Sequence, residues 1–95
     1  MKKYLVSREL KPYIRNILDR RMMEYHFSSE NGKYFCNISV PNEVFHRLVK
    51  RAACEKASSE AGVTYVTREE CSSPMYLSRL KKELGVNEVF VYKKG

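Results

Sequence analysis

The chain has 95 residues, of which 43% are hydrophobic and 31% are charged, with a mean hydropathy of −0.53. This length leaves room for one domain, and eleven aromatic rings together with many aliphatic side chains exclude an intrinsically disordered chain. No apolar run approaches the roughly 18–20 residues that cross a bilayer, so the sequence also excludes a membrane-spanning helix.

The net charge of +7 comes from 18 basic and 11 acidic residues, and it is unevenly distributed. Residues 1–22 alone carry seven basic and two acidic side chains. A small basic domain attracts polyanions, and nucleic acids are abundant polyanions. The charge therefore favours RNA or DNA as a partner, with the alternative that it only keeps the protein in solution.

The first half of the chain predicts a strand, a helix and a β-hairpin. Lys2 to Val6 is typical of a short strand. Residues 23–40 alternate between apolar and polar on both sides of Asn31-Gly32, the strongest short signal for a hairpin. Between these segments, apolar residues at three- and four-residue spacing predict a helix over about residues 10–22, with Pro12 in its first turn. The residues on this apolar face are Leu10, Tyr13, Ile14, Ile17, Leu18 and Met22.

The second half predicts two more helices and two more strands, with Gly62 and Gly85 just beyond the helix ends. In chain order they are a helix over 42–59, a strand from Val63 to Thr67, a polar turn over 68–72, a helix over 74–84 and a strand from Glu88 to Tyr92.

This element order predicts an α+β fold in a single domain over residues 1–95. Its first six elements match a ferredoxin-like split βαββαβ core, to which a C-terminal helix and strand are added. The alternative is a different α+β sheet in which the last strand pairs with the first. The predicted core residues are Ile14, Ile17, Leu18, Ile38, Val44, Phe45, Leu48, Leu77, Leu80 and Phe90.

The second strand of the hairpin carries a candidate binding residue. Alternation places Tyr34, Cys36 and Ile38 on the face covered by helices and leaves Lys33, Phe35 and Asn37 on the open face. Lys33 and Phe35 fit the basic and first aromatic positions of an RNA-recognition signature, but Asn37 stands at the second aromatic position, so the strand does not identify that family. An exposed Phe35 ring would stack on an unpaired base; alternatively, it packs against other parts of the protein.

Basic side chains on the first two helices are the other candidate contacts. Arg is favoured at such sites because its planar guanidinium forms two hydrogen bonds with one phosphate. The alternative for each helix is a solvated surface. The ten candidate residues for nucleic-acid binding are Arg8, Lys11, Arg15, Arg20, Arg21, Lys33, Phe35, Arg47, Lys50 and Arg51.

The sequence shows no motif for catalysis, a cofactor or a metal. Cys36, Cys54 and Cys71 form no CxxC pair, and the only histidines are His26 and His46. Thiols without disulfide spacing, and an N-terminal apolar stretch too short for a signal peptide, favour the cytoplasm.

Three functions of different classes remain open. The first is a non-enzymatic module that binds RNA or DNA, and the second is a regulator or inhibitor that binds an acidic protein surface. The third is a small ribonuclease of the toxin kind. The open sheet face and the edge strands would also suit a homodimer.

Overall fold

The computed structural model describes residues 1–93, which fold as an α+β protein. The described chain divides into two units, residues 1–52 and the residues from 53 onward, and one long helix runs across the division. In this range the elements are β1 (Lys2–Val6), α1 (Lys11–Arg20), β2 (His26–Glu30), β3 (Lys33–Ile38), α2 (Asn42–Ala61), β4 (Tyr65–Val66), α3 (Arg68–Cys71), α4 (Pro74–Leu84) and β5 (Phe90–Val91). None of these helices is long and apolar enough to span a membrane.

The first unit is built on a three-stranded antiparallel sheet in the order β1-β3-β2. The predicted hairpin is confirmed: Glu30 pairs with Lys33, and Asn31 and Gly32 have φ values of 51° and 77°. Two consecutive positive φ values are the geometry of a tight turn that follows the twist of its strands, and Asn-Gly adopts it at low cost.

One face of this sheet carries the core of the first unit. Cys36 and Ile38 of β3 are buried, whereas Lys33 is exposed and Phe35 is half-buried. Most of the core predicted for this unit is confirmed, but Val44 is only half-buried. The buried cluster consists of Val6, Ile14, Ile17, Leu18, Cys36, Ile38, Phe45, Leu48 and Ala52. Because α1 and α2 contribute six of these residues, both helices bury an apolar stripe there.

The apolar face of α1 ends earlier than the sequence predicts. The helix stops at Arg20, and Met22 lies in the left-handed region with φ 56°. Hydrogen bonds from Met22 N to Asp19 O and from Met23 N to Leu18 O close the helix end, in the pattern of a Schellman motif. This reversal turns the Met22 side chain outward, so that it is 91% exposed; its placement on the inward face was wrong.

The second unit contains the parallel pair β4 and β5, with α3 and α4 between them in the chain. Thr67 and Glu70 form a capping box that makes residues 68–71 a short helix where the sequence predicted a turn. Leu80 is buried as predicted and Leu77 is half-buried. Phe90 is 46% exposed, so its placement in the core was wrong.

The α+β prediction is confirmed, and the first three strands have the relative order of a split βαβ sheet. In a ferredoxin-like sheet β4 would pair with β1, but within residues 1–93 β4 pairs with β5. The physical reason is that strand pairing is non-local. The residues of the short strand β4 have high β-propensity and are compatible with pairing to either β1 or β5. Only the path of the chain decides between these two partners.

Candidate nucleic-acid interface

Two basic side chains of α1 lie over two aromatic rings of the hairpin. The Lys11 ammonium is 5.0 Å from the centroid of the Tyr34 ring and 5.4 Å from that of Phe27. The Arg15 guanidinium is 5.7 Å from the Phe27 centroid. At these distances the negative faces of the rings attract the cations, so the rings hold both charges in place at the surface.

Two more cations share a surface cavity with Tyr34. Arg8, just after β1, and Lys33, at the start of β3, line a cavity of about 460 Å³ together with Tyr34. The antiparallel pairing of Val6 with Tyr34 brings the end of β1 beside the hairpin turn and so creates this cavity. We call the set of four cations and two rings the Tyr34 cluster; its members are Arg8, Lys11, Arg15, Lys33, Phe27 and Tyr34.

The remaining predicted cations of α1 lie away from this cluster. Lys11 and Arg15 are four residues apart and share a helix face. Arg20 is nine residues from Lys11, which at 3.6 residues per turn places it on the opposite side of α1. Arg21 follows the last helical residue. The structure therefore divides the basic patch predicted on this helix into two parts.

The open sheet face carries Phe35, but its ring is not bare. The Lys3 ammonium lies 4.4 Å from the ring centroid and also forms an ion pair with Glu30 on β2. Lys3 therefore reaches from one edge strand across Phe35 to the other edge strand. A base that stacks on this ring must displace the ammonium, which is then free to meet a phosphate.

Of the three candidate contacts predicted on α2, two are exposed and one is buried. Arg47 and Lys50 are exposed, as a phosphate contact requires. Arg51 is 1% exposed, so its placement among the surface cations available to a phosphate was wrong. It lies three residues after buried Leu48 and three before buried Cys54, and this spacing places it between them on the helix circumference.

Most of the positive charge lies in the first unit. Residues 1–52 carry eleven basic and five acidic side chains, whereas residues 53–95 carry seven and six.

Asp19, the only acid within α1, accepts a 2.5 Å hydrogen bond from the Tyr25 hydroxyl. This hydrogen bond, and secondarily burial, raises the pKa of Tyr25, so the phenol stays neutral beside the basic helix.

A second surface of the first unit is an apolar groove of about 590 Å³ along the free edge of β1. Its lining includes Tyr4, Leu5, Phe45 and Val49. The Tyr4 and Phe45 rings stack at 4.2 Å with an angle of 6°, and the Tyr4 hydroxyl donates to the Val40 carbonyl. Leu5 remains 62% exposed beside these two stacked rings.

The cysteines and histidines form no evident reactive centre in the described part of the chain. His26 and His46 are both exposed, and residues 1–93 contain no group of three or more His, Cys, Asp or Glu side chains that could hold a metal ion. Cys36 and Cys54 are buried and Cys71 is exposed, with no disulfide among them. Burial raises the pKa of Cys36 to about 11, so this thiol remains protonated near neutral pH.

Sequence reasoning missed Lys3, Phe27 and Tyr34 as candidate interface residues. The alternation of the hairpin correctly placed Tyr34 on the helix-covered side, but only packing shows that α1 cations cover its ring. Strand alternation alone does not show that Lys3 and Phe35 lie on the same face of the sheet. This follows from the pairing of Leu5 with Phe35, because Lys3 is two residues from Leu5 and shares its face.

The candidate binding residues rest on these contacts and exposures alone. Neither the families of known proteins, nor the curated proteins, nor the solved structures contain a match to this chain.

Proposed function

We propose that this protein is a small, non-enzymatic nucleic-acid-binding module that contacts phosphates through the Tyr34 cluster. The observation that carries this proposal is that Lys11 and Arg15 lie over Phe27 and Tyr34, while Arg8 and Lys33 line a cavity with Tyr34. Isolated surface cations pay an entropic cost when they bind a phosphate, because their side chains must be ordered. The rings already order Lys11 and Arg15, which lowers that cost.

Charge and position both support a phosphate contact here. The first unit carries nearly the whole net positive charge, which attracts a polyanion from solution. Arg8, Arg15 and Lys33 are exposed, so their charged ends reach a phosphate without rearrangement of the core. Phe35 on the open face then offers a ring to an unpaired base, and Lys3 moves from the ring to a phosphate. This arrangement favours single strands over duplexes.

The test is a binding isotherm for labelled single- and double-stranded RNA and DNA across a salt series, recorded by fluorescence anisotropy. We expect micromolar or tighter binding that weakens steeply with salt. The double variant Lys11→Gln/Arg15→Gln should reduce the slope of log K against log salt by about 1.4 on single strands, since each lost phosphate contact removes about 0.7.

The matched control is the double variant Arg47→Gln/Lys50→Gln, which removes the same charge from exposed positions of α2. We expect a smaller loss of slope in this control, and cooperative thermal unfolding of a folded protein in both variants. Equal losses would show that only net charge matters, and a wild-type protein without salt-sensitive binding would overturn the proposal. RNA recovered intact is expected; cleavage would favour the ribonuclease alternative instead.

A second candidate function is protein binding at the free edge of β1. The observation that favours it is the apolar groove beside this edge, together with the exposed Leu5 and the cations Lys2 and Lys3. An extended segment with alternating acidic and apolar residues would pair with the backbone of β1 and place apolar side chains in the groove.

The test is an NMR titration of the ¹⁵N-labelled protein with an extended peptide of alternating Asp and Val. The same peptide with Lys in place of Asp is the control. Shifts of the β1 amides with the acidic peptide alone would support this second function. Equal shifts with both peptides, or none with either, would contradict it.

A further inference from the structure

The cavity between the end of β1 and the hairpin turn is an open surface pocket beside Tyr34. Its lining includes Ser7, Arg8, Gly32, Lys33 and Tyr34. At about 460 Å³ it falls within the range of small-ligand sites, which is about 300–1,000 Å³, so it has room for a mononucleotide.

The charge of this cavity suits a dianion. Arg8 and Lys33 bring two positive charges to it, and its lining residues, all in the described part of the chain, include no carboxylate. An internal phosphodiester of a nucleic acid carries one negative charge. A phosphate monoester carries about −1.5 to −2 at neutral pH, so two cations neutralise a monoester more completely.

The shape and chemistry around the two cations suit the rest of a nucleotide. Gly32 has φ +77° at the rim, and the space into which a side chain would extend is open. The backbone there can approach a ligand closely. Tyr34 supplies a ring beside the phosphate position. The Lys11 ammonium lies over this ring, although Lys11 does not line the cavity. A base stacked on Tyr34 would lie within reach of a phosphate between Arg8 and Lys33.

We propose that this cavity binds a nucleotide through its phosphate monoester, either as the phosphorylated end of a strand or as a free mononucleotide. The proposal rests on the proposed function, because it makes the Tyr34 cluster selective for a phosphorylated end over internal phosphates. Arg8 and Lys33 bind the monoester, Tyr34 binds the base, and Lys11 and Arg15 contact the following phosphates.

The test compares two single-stranded oligonucleotides of one sequence, with a 5′-phosphate and with a 5′-hydroxyl. We expect the phosphorylated strand to bind about tenfold more tightly, which is the magnitude of one charge-assisted hydrogen bond. Arg8→Gln and Lys33→Gln should each abolish this preference, and Arg79→Gln, at an exposed α4 position that does not line the cavity, should retain it. Retention of the preference in Arg8→Gln and Lys33→Gln would overturn the assignment of the site.

A parallel NMR titration with AMP, adenosine and inorganic phosphate tests whether the site needs both the phosphate and the nucleoside. AMP should shift the amides of Ser7 and Gly32, and adenosine should leave them unchanged. Inorganic phosphate that binds as tightly as AMP would overturn the nucleotide assignment.

These experiments can contradict the nucleotide site and the proposed nucleic-acid-binding function independently of each other. Oligonucleotide binding that ignores the 5′-phosphate, with no AMP shift at Gly32, overturns this inference and leaves the proposed function intact. AMP binding at the cavity without oligonucleotide binding supports a free-mononucleotide site and overturns the proposed function.

Discussion

Leu48 and Leu5 have the same side chain in opposite surroundings, since Leu48 is 3% exposed in the core and Leu5 is 62% exposed on β1. We expect Leu48→Ala to lower the free energy of unfolding by about 2–5 kcal/mol, through lost burial and the cavity that remains. Leu5→Ala should change it by about 0.5 kcal/mol or less. Urea unfolding measures both variants, and similar losses would contradict the orientation of β1.

Cys36 and Cys71 are expected to differ in reactivity because they differ in burial. At pH 8, alkylation followed by mass spectrometry should show modified Cys71 and unmodified Cys36. Folding raises the Cys36 pKa from 9.0 to about 11, so the folded state holds the proton more tightly than the unfolded state. Its contribution to stability is therefore complete below pH 9 and is lost as the pH rises towards 11. Equal alkylation rates for the two thiols at pH 8 would contradict the burial of Cys36.

At the scale of secondary structure, two helices end in the same way with different residues. Gly85 terminates α4 with φ 69°, and Met22 occupies the corresponding position after α1 with φ 56°. Hydrogen bonds from Gly85 and Val86 to Lys82 and Lys81 complete the end of α4. A left-handed backbone is costly for a residue with a Cβ atom and costs glycine little.

This difference predicts opposite effects for two exchanges. Met22→Gly should raise the free energy of unfolding by about 1 kcal/mol, because it relieves the left-handed conformation at an exposed position. Gly85→Ala should lower it by about 1 kcal/mol, by backbone conformation alone, because the added Cβ meets no atom within 4 Å. Thermal unfolding checks both variants. A loss of stability in Met22→Gly would show that the end of α1 is not strained.

For α2, apolar spacing predicts the range of the helix better than it predicts which side chains are buried. Apolar spacing predicted a helix over 42–59, and the helix extends from Asn42 to Ala61. The same pattern assigned Arg51 to the exposed side because the residue is charged. Its position three residues from both Leu48 and Cys54 places it on the buried side instead.

At the scale of the whole molecule, the charge is concentrated in one of the two units. Residues 1–52 have a net charge of +6 and residues 53–95 a net charge of +1. Long-range attraction of a polyanion therefore acts mainly on the first unit, although α4 by itself carries three basic residues and one acidic residue, as α1 does. Electrostatic attraction of this kind weakens with salt, because counterions screen it.

This distribution predicts where a nucleic acid makes contact. In an NMR titration with a single-stranded oligonucleotide, the shifted amides should lie in β1, α1 and β3. Those of α4 should remain in place. The α4 helix is a matched internal control, because its Arg79, Lys81 and Lys82 are basic but lie outside the Tyr34 cluster. Shifts confined to α4 would contradict the proposed interface.

Most of the local elements of this protein were determined by the sequence alone. Asn31-Gly32 specifies the hairpin because its residues accept positive φ values, and the end of α4 is specified by Gly85 for the same reason. Apolar spacing specifies α1 and α2, because burial of a helix stripe requires that period. These signals depend on neighbours within a few residues, so they can be read from the chain itself.

Only the tertiary structure decided which elements meet. The pairing of β4 with β5 separates it from the β1-β3-β2 sheet, and no local signal distinguishes these partners. The packing of α1 on the hairpin likewise places Lys11 over Tyr34. The Tyr34 cluster is therefore formed by residues that are far apart in the sequence. The physical reason is that charge and propensity belong to single residues, whereas a binding site depends on distances between residues far apart in the chain.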